Sequence, residues 1–287
     1  LSNNHNTKKQ LSTILDNSLS IIRHRGPDGA GKWVSDNSKV ALGHVRLSII
    51  DLETGVQPMH SDDGRYTIIY NGEIFNYIEL RSELGESQFR TSSDTEVVLR
   101  AFQRWGSDCV KKLRGMFAIA IWDAVEQRLF LARDRFGIKP LYWTKSSQGF
   151  YFASEVKALL PFLDRRTVNG AALSDYLTFQ FCLGEKTLMD GVWQMPTAHF
   201  AYVYPGQQPK MERYWEVHYE VDYKHTDKWF AEHLYELLQD SVSMHMRADV
   251  EVGSYVSGGV DSSLLASLAR GVRPHGPFKV FNGRFTE

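Results

Sequence analysis

Phe117-Ala118-Ile119-Ala120-Ile121-Trp122 and Gln127-Arg128-Leu129-Phe130-Leu131-Ala132 are two mostly apolar runs separated only by Asp123-Ala124-Val125-Glu126. Runs of this length joined by so short a turn pair as an antiparallel hairpin. Because both faces of each strand are apolar, the hairpin needs cover above and below. Further short runs at 39–47, 66–70, 140–143 and 150–153 are rich in β-branched and aromatic residues and bounded by Asp, Gly, Asn or Ser. Helical spacing links Leu11, Ile14, Leu15, Leu19 and Ile22, up to the turn Arg23-His24-Arg25-Gly26-Pro27-Asp28-Gly29. A second helix opens at Ser93-Asp94-Thr95-Glu96, which has the form of a capping box. It buries Val97, Val98, Leu99, Ala101, Phe102 and Trp105 and stops at Gly106. Helices plus two-sided strands predict an α+β layered sandwich.

At about 100–200 residues per domain, 287 residues suggest two domains, and 43% hydrophobic content gives each a core. The texture changes at Pro205-Gly206-Gln207-Gln208-Pro209 and the polar stretch 220–227, so the expected division is 1–205, a linker at 206–226, and 227–287. Beyond the linker, Phe230, Leu234, Leu237, Leu238, Val242 and Met246 mark one face of a long helix. A strand at 250–256, a helix at 261–270 and a strand at 278–281 then give the β-α-β order that begins a parallel, doubly wound domain. The formal net charge of −1 provides no field to draw the chain onto nucleic acid or an anionic membrane. No run approaches the ~18 apolar residues of a membrane span, and the first residues have no apolar core of a secretory signal. Cys109 and Cys182 make neither a disulfide framework nor a CxxC metal site, so a reducing cytoplasm is expected.

The segment Ser254-Tyr255-Val256-Ser257-Gly258-Gly259-Val260-Asp261-Ser262-Ser263 runs from a strand through two glycines directly into a helix. Such a turn lets backbone N–H groups and the helix dipole converge on a phosphate. It is not a Walker A loop, since no Lys follows the glycines. Asp261 suits a divalent cation that bridges phosphate oxygens. Alone, Gly258-Gly259 is an ordinary strand-to-helix turn, with Asp261 as an N-terminal cap; the full string is far more specific.

Four strings in the first domain combine into amide chemistry: Arg25-Gly26-Pro27-Asp28, Arg46-Leu47-Ser48-Ile49-Ile50-Asp51, Asn71-Gly72-Glu73-Ile74-Phe75-Asn76 and Ser93-Asp94-Thr95-Glu96. A free amino acid needs a cation for its α-carboxylate and an anion for its α-ammonium, and Arg46 and Asp94 are the natural pair. Hydrolysis of a side-chain amide needs donors to a tetrahedral oxyanion, which the Asn71 amide and the Gly72 N–H would supply. Taken singly, Arg46 reads as a surface ion-pair residue, Asn71-Gly72 as a hairpin turn and Asp94 as a helix-dipole partner.

Together the four strings resemble class II glutamine amidotransferases of the N-terminal-nucleophile hydrolase fold. The Ser-Gly-Gly-Val-Asp-Ser-Ser loop resembles that of the ATP-pyrophosphatases. The combination resembles the glutamine-hydrolysing asparagine synthetase family, and the strings 133–142 and 153–159 fit the same pattern without an assigned role. The resemblance implies an α/β/β/α N-terminal-nucleophile hydrolase sandwich, followed by the beginning of an α/β doubly wound ATP-pyrophosphatase domain. It also implies a carbon-nitrogen ligase using glutamine, aspartate and ATP with Mg²⁺, and it leaves room for a homodimer. Glutamine would contact Arg46, Leu47, Ser48, Ile49, Ile50, Asn71, Gly72, Glu73 and Asp94, with Asn71 and Gly72 as the oxyanion hole. Val256 would line the nucleotide, Ser257, Gly258, Gly259, Ser262 and Ser263 would cradle pyrophosphate, and Asp261 would bind Mg²⁺. Relative to the family pattern, the chain begins just after the strand carrying the nucleophilic Cys and stops early in the synthetase domain, so the chain itself is expected to lack glutaminase activity. Two other readings share these features: an enzyme that amidates or cyclises another carboxylate, and a degenerate amidotransferase that only binds. An intact Arg46, Asn71 and Asp94 set argues against an ammonia-independent enzyme.

Overall fold

The computed structural model describes residues 7–283, and the expectations about the first six residues lie outside that range. The elements in chain order are α1 (Lys8–Ile21), β1 (Gly29–Val34), β2 (Ala41–Arg46), β3 (Met59–His60), β4 (Tyr66–Ile74), α2 (Tyr77–Leu84), α3 (Asp94–Trp105), α4 (Cys109–Lys112), β5 (Gly115–Asp123) and β6 (Arg128–Arg133). There follow β7 (Tyr142–Ser146), β8 (Gly149–Ala153), α5 (Gly170–Phe179), β9 (Trp193–Gln194), β10 (His199–Val203), β11 (Lys210–Arg213), α6 (Asp227–His245), β12 (Ser254–Tyr255), α7 (Val260–Val272) and β13 (Val280–Phe281). Cα proximity groups them into two units, Leu1–Ser48 with Glu53–Glu216, and Ile49–Leu52 with Val217–Glu287.

In the first unit, β5 and β6 form the expected hairpin, in register from Ala118↔Arg133 to Asp123↔Arg128. They are central in a six-stranded antiparallel sheet of order β11-β10-β6-β5-β4-β3. Alternation along β5 sends its side chains to opposite faces. Phe117, Ile119 and Ile121 bury against Val97, Val98, Ala101 and Phe102 of α3 and Leu80 of α2. Ala118, Ala120 and Trp122, with Leu129 and Leu131, bury against Val40, Leu42, Trp143 and Phe150 of the second strand layer. Each large side chain fully buried in this way contributes about 1.5–3 kcal/mol. That second layer holds the β1-β2 ribbon and the β8-β7-β9 sheet. α1 covers the ribbon: a Cβ on Gly43 would stand 3.1 Å from Leu19 and 3.2 Å from Leu15. The layers are therefore helix, sheet, strands, helix.

Three local features depart from the sequence reading. Ser93 caps α3 by accepting from the Thr95 N–H, but the box does not close. Glu96 is buried and turns instead to the Arg90 and Thr91 N–H groups, the Thr91 hydroxyl and Arg100, because a buried carboxylate takes the partners that best satisfy its charge. The stretch 206–226 contains β11, which pairs with β10 from His199↔Arg213 to Tyr202↔Lys210, so the first unit runs past residue 205 to Glu216. Finally, the strand expected at 66–70 continues as β4 through Asn71 and Gly72 to Ile74, paired throughout with β5.

In the second unit, β12 and β13 are parallel, with Ser254↔Val280 and Tyr255↔Phe281, and α7 connects them. Of the strand expected at 250–256, only Ser254 and Tyr255 are in ladder pairing, since β13 offers only two residues to pair with. α6 packs through Val242 and Met246 against Ala269 of α7, while Phe230, Leu234 and Leu237 on its first half are exposed. Among the described residues no helix is long and apolar enough to cross a membrane.

Candidate active site

In an antiparallel ladder the N–H and C=O of one residue point to the same side, and alternate residues point to opposite sides. The N–H and C=O of Phe117 both bond Asp134, so they face β6. Gly72, directly opposite Phe117, therefore directs its own N–H away from β5. Its neighbours in phase have partners on that side: the Tyr70 N–H donates to Gln57 Oε1 at 2.6 Å and the Ile74 N–H to Asp94 Oδ2 at 3.0 Å. The Gly72 N–H lies between them. A Cβ on Gly72 would stand 2.2 Å from the Met116 carbonyl oxygen, so only glycine fits this close approach. Beside it, Asn71 Nδ2 is buried without a hydrogen-bond partner. An orphaned amide donor costs about 1–3 kcal/mol and is free to donate to a ligand or a water.

Arg46 ends β2 and is held by the turn that precedes β1. The Asp28 N–H donates to the Arg46 carbonyl at 3.0 Å, and Asp28 Oδ2 accepts the Ser48 N–H at 2.8 Å. Gly26 packs so tightly there that a Cβ would stand 2.3 Å from the Val45 carbonyl carbon. Gly26→Ala is thus expected to lower stability by about 1–3 kcal/mol, read as a fall in thermal midpoint. An unchanged midpoint would contradict the packing. His44 shares a strand face with Arg46. Its ring hydrogen-bonds the Tyr70 backbone, and burial, with Arg46 nearby, brings its pKa down to about 4. β2 therefore lies against β4 beside Asn71 and Gly72.

Two acids stand on the other side. Asp94, only 6% exposed at the start of α3, accepts from the Tyr70 hydroxyl at 2.9 Å as well as from Ile74. Burial raises its pKa, while these hydrogen bonds oppose the rise. Glu73 is pushed up to about 7 by burial and by Asp94, with Lys139 pulling the other way. Of the remaining residues in the glutamine set, Leu47 is exposed and Ser48 is tied to Asp28, while Ile49 and Ile50 group with the second unit. Tyr70, Gln57 and Lys139 were missed in the sequence. The first two hold the edge of β4 by hydrogen bonds with no motif, and Lys139 lies in a string that had been noticed but given no task.

In the second unit, Gly258 has φ +86° and nothing within 4 Å of an added Cβ, which leaves its surface open to a ligand. Ser262 Oγ accepts the Ser257 N–H at 3.2 Å and lies 3.1 Å from the Ser257 hydroxyl. The N–H groups at the start of α7 lack intrahelical acceptors, so the donors suit a phosphate. Among the described residues no three His, Cys, Asp or Glu side chains cluster for a metal. Val256 lies behind the loop, with its N–H bonded to the Phe281 carbonyl.

The sequence matches the family described as glutamine amidotransferase domain over residues 2–215 and asparagine synthase over residues 233–287. It is 42% identical over 264 residues to asparagine synthetase [glutamine-hydrolyzing] 1 of Bacillus subtilis, covering 88% of this chain and 40% of that protein. It is 36% identical over 266 residues to amidase chry2 of Gibberella zeae, covering 91% and 39%. The chain thus spans about two fifths of the length of these curated relatives. Among solved structures, glutamine phosphoribosylpyrophosphate amidotransferase from B. subtilis superposes with a TM-score of 0.52 at 20% identity, covering 93% of this chain and 62% of that one, a likeness of fold. The layered first unit and the β-α-β of the second accord with both matches: the chain belongs to the glutamine amidotransferase family and continues into the start of an asparagine synthase domain.

Proposed function

We propose that the natural protein, with a nucleophile that this chain's residues do not supply, hydrolyses glutamine and transfers the ammonia to an ATP-activated carboxylate, forming asparagine from aspartate. The observation that carries the glutaminase half is the buried, unpaired Asn71 amide next to the outward Gly72 N–H, on a strand whose edge is also bonded by Asp94. Arg46 binds the α-carboxylate, and Asp94 with Glu73 binds the α-ammonium. Bound in this way, the side-chain amide is directed at Asn71 and Gly72, whose donors take the charge that develops on its oxygen as the tetrahedral intermediate forms. Cys109 has no part in this: it is fully buried, and its thiol is pushed up to about 12.

For the synthetase half, a free carboxylate is a poor acyl donor. The aspartate β-carboxylate oxygen attacks the α-phosphorus of ATP and releases pyrophosphate, and ammonia then displaces AMP from β-aspartyl-AMP. Ser257, Gly258, Gly259, Ser262 and Ser263 hold the departing pyrophosphate, and Val256 lines the nucleotide. A magnesium ion at Asp261 would neutralise charge on the phosphate oxygens. Asp261→Asn is expected to slow Mg²⁺-dependent pyrophosphate release by about 10²-fold, a few kcal/mol of charge stabilisation. Release at the parental rate would remove Asp261 from the metal role.

A second reading keeps the same ATP chemistry with another carboxylate as the acceptor, since none of the residues named above selects aspartate. Assaying AMP formation by the natural protein across candidate carboxylates separates the two. Aspartate-dependent AMP and asparagine support the first reading, and AMP formed only with another acid supports the second.

A further inference from the structure

Arg133-Asp134-Arg135-Phe136-Gly137-Ile138-Lys139 leaves the end of β6 as a loop locked by its first two residues. Asp134, 1% exposed, accepts the Phe136 and Ile138 N–H groups on Oδ1 at 3.1 and 2.9 Å. Its Oδ2 accepts both the Lys139 N–H at 2.9 Å and the Phe117 N–H at 3.1 Å. One carboxylate oxygen therefore ties the backbone of Lys139 to β5 at the residue opposite Gly72, and next to Met116, which is opposite Glu73. The Arg133 guanidinium closes the loop from the other side, donating to the carbonyls of Gly137 at 2.7 Å, Lys139 at 2.8 Å and Met195 at 2.6 Å. Backbone clamped this heavily is built to present a side chain, and the half-buried Lys139 ammonium sits in the field of Glu73.

Resting on the glutamine-site reading above, we propose that Lys139 is a positioning residue of that site, holding Glu73 as an anion for the substrate's α-ammonium. Asp94 and Glu73 are both buried and repel one another, so in the absence of a cation one of them keeps its proton. A protonated Glu73 offers the ammonium one acceptor fewer and presents a competing hydrogen. Lys139 offsets the second negative charge, leaving two carboxylates and one ammonium group to receive a cationic ligand. The charged and titratable groups around the pair are Asp94 and Tyr70, which interact with Glu73, and Arg25 and Asp134, which interact with Lys139. Burial and Arg25 favour loss of the Lys139 proton, and Glu73 and Asp134 oppose it.

The test is the pH profile of KM for glutamine in the natural protein. In Lys139→Met, a rise of one unit in the Glu73 pKa from about 7 should increase KM about fivefold at pH 7, as the ionised fraction of Glu73 falls. That difference should vanish near pH 9, where Glu73 is ionised in both proteins, and Lys139→Arg should follow the parent throughout. In a Glu73→Gln background, Lys139→Met should have no further effect. A KM unchanged at pH 7, or raised equally at all pH values as a mere packing defect would raise it, overturns the role of Lys139. Arg46→Ala is measured alongside: if its KM is also unchanged, the glutamine-site reading itself falls, whereas a raised KM for Arg46→Ala with a normal one for Lys139→Met overturns only this inference.

Discussion

In the natural protein, Asn71→Ala is expected to reduce kcat for glutamine hydrolysis by about 10²–10³, the usual cost of removing one oxyanion donor, with KM changed little. The reason is timing. The amide oxygen of bound glutamine carries little charge, and the bond from Asn71 reaches full strength only as the tetrahedral oxyanion forms. The same substitution should leave the thermal midpoint unchanged or slightly raised, because Asn71 Nδ2 has no intramolecular bond to lose and its truncation relieves an unsatisfied buried donor. A fall in stability together with an unaltered kcat would assign Asn71 to the scaffold of β4 and remove it from the chemistry.

Arg46→Ala should raise the glutamine requirement by about 10²-fold or more, since truncating one partner of a desolvated charge pair costs about 2–5 kcal/mol. Synthesis supplied with free ammonia should continue, because ammonia has no α-carboxylate to anchor. Equal loss with both nitrogen donors would show that Arg46 acts on the fold or on the synthetase half. Asp28 and Gly26 hold the backbone on both sides of Arg46, so loss of the guanidinium leaves the strand end in place.

Much of the architecture was legible in the sequence, because it follows from local rules. The hairpin of β5 and β6 was readable from two apolar runs joined by a short turn, and the strand, two-glycine turn and helix around Gly258 from residue type alone. Arg46, Asn71, Gly72 and Asp94 were grouped by chemistry alone, since amino-acid recognition and oxyanion stabilisation demand such groups, and the structure puts Asn71 and Gly72 on β4 and bonds Asp94 to the same strand. Less legible was anything set by competition between distant partners. Glu96 looked like the closing half of a capping box, yet it went to Arg90, Thr91 and Arg100, which satisfy a buried charge better than one backbone N–H. The strand expected to end near Tyr70 ran on through Asn71 and Gly72, because β5 pairs with it as far as Ile74. Polar composition concealed β11, an edge strand that needs pairing on one side only.

The central hairpin, the helix that opens at Asp94, the strand-turn-helix around Gly258 and the kinds of chemistry on offer were determined by the sequence itself, through periodicity and residue type. Tertiary structure decided which side of β4 the Gly72 N–H faces and which cation stands beside Glu73. Alternation is a property of one strand and can be read along the chain. The direction of a hydrogen-bonding edge depends on the register between two strands, and the charge of a buried acid on the groups that folding brings around it.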